Sequence, residues 1–153
     1  MTAEIELIAE IELPGEVDTE GLIRAARAAL EHEQATEGAL TILLGDDARL
    51  AALNRSYRGL DEPTDVLAFP AGDQAALPEQ TPYLGDVAIS VPRSDEQAAE
   101  AGHGIMEELQ LLVIHGTLHL LGHDHGEPAE REAMWAAQRT ILEKLGLPAS
   151  LSE

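Results

Sequence analysis

The stretch IMEELQLLVIHGTLHLLGHDH, residues 105–125, decides how this chain is read. Ile105, Leu109, Leu112, Val113, Leu118 and Leu120 recur at helical spacing in an almost uniformly apolar run, so a helix with most of its circumference buried is expected. His115 and His119 stand four apart on it. Residues at that spacing share a face, with Cβ atoms about 5–6 Å apart, near enough for two imidazoles to reach one ion. Gly122 supplies the residue type that ends a helix in a left-handed turn and sends the chain back, which makes His125 the best third ligand. Three neutral imidazoles leave the fourth position of a tetrahedral zinc ion open, as in a catalytic site. A structural site is closed by four ligands, commonly cysteines, and this chain has none.

The spacing H-x-x-x-H-x-x-G-x-x-H is also that of the metzincin proteases. Those enzymes place a glutamate directly after the first histidine as general base; here that position is Gly116. The clamp is therefore expected to serve a different hydrolysis, with a protease or small-molecule hydrolase as the alternative.

A chain of 153 residues suits a single domain, 1–153, with a sizeable core. Twenty-nine acidic residues against nine basic ones give a net charge of −20. Such a surface opposes broad attachment to nucleic acid or anionic membrane, so any polyanion has to be met locally. The four aromatics, Tyr57, Phe69, Tyr83 and Trp135, are too few for an extended base-stacking platform. No signal-peptide pattern opens the chain, and histidines interrupt its longest apolar run. No membrane span or membrane partner is expected, and the absence of cysteine fits a cytoplasmic protein.

Outward from the centre, the pattern alternates. Residues 4–13 have the period of a half-buried strand, ended by Pro14 and Gly15; Asp18 or Thr19 caps a helix to about residue 34, with His32 solvated near its end. A buried strand is expected over 40–44, then a helix from Asp46 or Asp47 through Tyr57. A turn with Gly59, Asp61 and Pro63 leads through Asp65 to a strand over 66–69 that Pro70 stops. Residues 71–82 are a loop of a length that suits a flap, and a strand follows over 83–89, interrupted by Asp86. Ser90 and Pro92 start a helix to about residue 101, His103 sits in a flexible loop, and Pro128 opens a last amphipathic helix stopped by Gly146 and Pro148. The tail is expected to fray. The whole predicts an α+β domain with a small four-stranded mixed sheet and about five helices, the central one carrying the histidines. Two readings stand for Arg58: a surface arginine offsetting a helix C-terminus, or a planar fork for a phosphate oxygen.

Three separated segments now carry a resemblance. HGTLHLLGHDH (115–125), NRSYRGLDEPTDVLAFP (54–70) and YLGDVAIS (83–90) resemble the YbeY family of bacterial metal-dependent endoribonucleases, over most of the chain and in the same order. The resemblance implies one zinc ion per chain on His115, His119 and His125, with His115, His119 and Arg58 as the catalytic set. It implies single-strand-specific cleavage in rRNA processing, including maturation of the small-subunit 3′ end, and a part in ribosome biogenesis and quality control. Single-stranded rRNA is the implied substrate, with ribosomal small-subunit proteins or assembly factors as partners. Asp65 and Asp86 are expected to support the cleft. His123 stands where the family usually has tyrosine, and Ala68 where it usually has serine. His123 is read as a polar residue at the rim, ahead of a substrate contact, a proton carrier or a weak competitor for the metal. The family motif favours His125 over it as ligand, which spacing alone does not decide, and Asp124 is able to orient a ligand imidazole. A non-catalytic, zinc-stabilised ribosome-assembly protein is the remaining alternative.

Overall fold

The computed structural model describes residues 3–59, 64–71 and 82–152. The expected turn at Asp61 and Pro63 and nearly all of the proposed flap lie outside the described residues.

Four strands, β1 (Glu4–Ala9), β2 (Ala39–Gly45), β3 (Val66–Pro70) and β4 (Tyr83–Ser90), form one sheet in the order β1-β2-β4-β3. β1, β2 and β4 are parallel, and β3 closes the edge antiparallel to β4. Pro70, which has no N–H to give a ladder, ends that edge strand. Helices α1 (Thr19–His32), α2 (Asp47–Arg58), α3 (Val91–Ala101), α4 (Ile105–Leu120) and α5 (Pro128–Lys144) follow the predicted order. Their starts are set by local chemistry: Asp18 and Asp46 accept backbone N–H bonds at the first turns of α1 and α2, and Ser90 does so for α3.

The sheet separates two apolar clusters. Leu40, Ile42, Leu44, Val87 and Ile89 face α1, α4 and α5 in the main core, while Leu67 and Ala88 meet Leu50 of α2 on the other face. α4 is buried nearly all round, as its composition predicts, and at Gly116 it approaches Val87 of the sheet closely. A Cβ at Gly116 would lie 2.5 Å from Val87 Cγ1. The protease motif's glutamate therefore has no room at this position.

Three expectations change. β1 stops at Ala9, not residue 13, because its partner runs out: Glu10 N–H bonds to Leu44 O, and β2 ends one residue later. Ile11 and Leu13 still pack on the core from outside the sheet. The tail does not fray; a 3₁₀ turn, Ala149–Ser152, buries Leu151 in the main core against α5 and α4. His103 is not a loose loop residue, since its Nε2 lies 2.6 Å from the buried carboxylate of Glu108.

Candidate metal centre

α4 positions the first two candidate ligands, His115 and His119, and a Schellman motif positions the third, His125. Gly122 N–H bonds to His119 O at 3.1 Å and His123 N–H to Leu118 O at 3.0 Å, the paired bonds that close a helix around a left-handed residue. Gly122 has φ +102°, a conformation that strains any residue with a Cβ. The reversal returns His125 to the face of α4 that carries His115 and His119.

The three imidazoles gather there, with their nearest ring nitrogens within 4.8 Å of one another. His115 Nε2 and His119 Nε2 are 3.2 Å apart, and the His125 ring centroid lies 5.4 Å from that of His115 and 5.1 Å from that of His119. Among the described residues this is the one group of three or more histidine or acidic side chains able to hold a metal ion. It opens on a cleft of about 660 Å³, lined on one side by Asp65, Val66, Ala68 and Pro70 around β3 and on the other by α4 and the loop after it.

Several neighbours were not foreseen. Gln138 of α5, 2 % exposed, holds His115 Nδ1 at 2.6 Å from its Oε1. With Nδ1–H donated to that carbonyl oxygen, the Nε2 lone pair is left facing the cluster. Trp135, one turn earlier on α5, meets His115 and His125 edge-on, with centroids 6.0 and 5.8 Å away. Burial pushes the His115 imidazole below the usual histidine range, against the opposing effect of Gln138. Burial, with His115 and His125 alongside, pushes His119 down to about 4. Near neutral pH both rings are uncharged, the form that binds a cation.

The remaining sequence candidates fall in different places. Asp65 lines the cleft; its Oδ1 accepts the Val66 N–H at 2.8 Å. With the Gln97 amide turned so that its NH₂ faces the two carboxylates, it donates to Asp65 Oδ2 at 3.1 Å and to Glu108 Oε2 at 3.2 Å. Asp86 does not support the cleft. It alternates with Val87, which packs under Gly116, so its carboxylate lies on the opposite sheet face, where it accepts from the Tyr83 hydroxyl. Asp124 takes the backbone N–H of His125 rather than an imidazole, at 2.8 Å. His123 lines the cleft and turns its Nε2 to Glu33 of α1, 2.7 Å away. Arg58 is the last residue of α2, before Gly59 in a left-handed C-cap, and its side chain lies outside the described residues. Its neighbour Tyr57 packs on Phe69 of β3, with ring centroids 4.5 Å apart, on the sheet face opposite the cleft.

The fold and the cluster define the class: a small α+β protein with three histidines able to hold a metal ion at a cleft. The family model Endoribonuclease YbeY matches residues 10–146, and the chain belongs to that family. The chain is similar to the protein named Endoribonuclease YbeY of Geobacillus thermodenitrificans, 41% identical over 96% of this chain and 99% of the relative. The protein of the same name from Roseiflexus is 47% identical over 86% of each chain. The solution structure of TM1509 from Thermotoga maritima superposes with a TM-score of 0.62 at 26% identity, covering 92% of this chain and 88% of that one.

Proposed function

We propose that the chain is a zinc-dependent endoribonuclease of the cytoplasm, one domain over residues 1–153, that cuts single-stranded regions of ribosomal RNA during rRNA processing and ribosome biogenesis. One observation carries this reading: three histidines converge at a cleft, His115 and His119 kept uncharged by burial and His115 oriented by Gln138. His115, His119 and His125 would hold one zinc ion. The donor set fits, since zinc–nitrogen bonds of about 2.0–2.1 Å put two tetrahedral ligands about 3.4 Å apart, close to the 3.2 Å between the two Nε2 atoms. A divalent ion held there supplies Lewis acidity, which activates water near neutral pH and polarises a phosphoryl oxygen.

The chain's own residues do the rest. Gln138 fixes the tautomer of His115, and Trp135 packs edge-on against the rings of His115 and His125 on the α5 side. Arg58 is assigned the charge that grows on the phosphate during cleavage, a task suited to a planar guanidinium that stays protonated. What supports that assignment is the place of Arg58 in the segment 54–70 that resembles the family, inside the residues the family model matches. The reaction needs no protein carboxylate at position 116, where packing excludes one.

The net charge of −20 repels bare RNA over most of the surface. It suits a basic ribosomal small-subunit protein or assembly factor that brings the RNA to the cleft. The test is cleavage of single-stranded rRNA by zinc-loaded protein beside His119→Ala and Arg58→Ala. His119→Ala is expected to lose zinc and cleavage together. Arg58→Ala is expected to keep its zinc and lose about 10²–10³-fold in rate, as on removal of one transition-state donor. Undiminished cleavage by His119→Ala would refute the reading; loss of zinc by Arg58→Ala would make that arginine structural.

A further inference from the structure

Two of the three clustered histidines are fixed by the helix that carries them, whereas His125 is exposed and reaches the cluster from the loop 122–126, which has a glycine at each end. An imidazole on a free loop has to be ordered each time the ion binds, and ordering cost weakens binding. What restrains this loop is therefore part of the centre.

The restraint runs through His123. Its backbone N–H closes the Schellman motif by bonding to Leu118 O at 3.0 Å. Its side chain leaves the cluster and donates from Nε2 to Glu33 Oε1, 2.7 Å away, at the end of α1. Glu33 is held in turn. It is the C-cap residue of α1, its N–H bonds to Ala29 O, and its second carboxylate oxygen is 3.0 Å from His32 Nδ1. The side chains of Glu33 and His123 are each about four-fifths buried, so water competes weakly for their bond.

We infer that Glu33 and His123 form a latch that pins the 122–126 loop to α1 and so sets the metal affinity of the centre. The inference rests on the metal-centre reading above and adds two positioning residues to it. Neither residue belongs to the three-histidine group, and their side chains are directed to each other. The latch acts by holding the loop that carries His125 in place before the ion arrives.

The test is zinc affinity by chelator competition, with the thermal midpoint of the metal-free protein measured alongside. Glu33→Ala and His123→Phe open the latch from opposite sides. Each is expected to weaken zinc binding about 10- to 100-fold, the range for partners that orient metal ligands, with little change in the metal-free midpoint. The double variant is expected to bind no worse than either single one, because both remove the same bond. Glu33→Gln retains an acceptor oxygen and is expected to retain most of the affinity. Wild-type affinity in both single variants, or losses that add in the double variant, would overturn the latch alone. Wild-type protein that binds no zinc, or His119→Ala that binds it normally, would overturn the metal-centre reading and the latch with it.

Discussion

At the scale of single residues, position 116 shows how the site and the core constrain each other. Gly116 lies between His115 and His119 in sequence, lines the cleft and rests on Val87. Gly116→Ala would press a methyl group to 2.5 Å from Val87 Cγ1, and both the helix and the strand are buried, so neither yields easily. The variant is expected to lose about 1–3 kcal/mol of stability, the usual cost of overpacking, measured by denaturant unfolding. An unchanged midpoint would mean that α4 can lift from the sheet at no cost. The histidines themselves were legible because a clamp at four-residue spacing is local to one helix. Gln138 was not, because its contact with His115 spans twenty-three residues and depends on how α5 packs against α4. Asp86 was misplaced for a similar reason: membership of a motif does not say which sheet face a side chain takes.

At the scale of elements, turn and cap chemistry made the starts of helices readable, and pairing between distant strands made some ends unreadable. Asp18, Asp46 and Ser90 act as caps within a few residues of themselves. The end of β1 is decided instead by the length of β2, thirty residues further on, which no alternation within residues 4–13 reveals. The tail was misread because three polar or small residues around Leu151 conceal one apolar anchor. Leu151 is 8 % exposed and belongs to the main core beside α5. Leu151→Ala is expected to destabilise the protein by about 2 kcal/mol, near the low end for buried leucines, by chemical denaturation. A change below a few tenths of a kcal/mol would restore the frayed tail. That residue also borders the small pocket behind His115, Trp135 and Gln138, so its loss is expected to loosen the support of the centre.

Over the whole molecule, acidity and metal binding are linked through buried imidazoles. Burial disfavours the charged form of His115 and His119 in the folded protein, so the unfolded chain takes up those protons first. The penalty from these two groups is therefore absent above pH 6.5, the ordinary histidine value, and grows as acid carries the solution from 6.5 towards about 4, where folded His119 itself titrates. Unfolding midpoints taken at neutral pH and near pH 5 would check this, and equal values would refute it. The fold class and the presence of a metal clamp were legible because they follow from local periodicity and spacing. The cleft was not, because it exists only where β3, α4 and the loop after α4 come together. The central claim is that RNA cleavage depends on one ion at His115, His119 and His125. The most direct measurement strips the protein of metal and follows the rate of single-stranded rRNA cleavage as zinc is added back. The expected result is no cleavage at the start and a rise that saturates at one zinc per chain; cleavage by the stripped protein at the full rate would contradict the account.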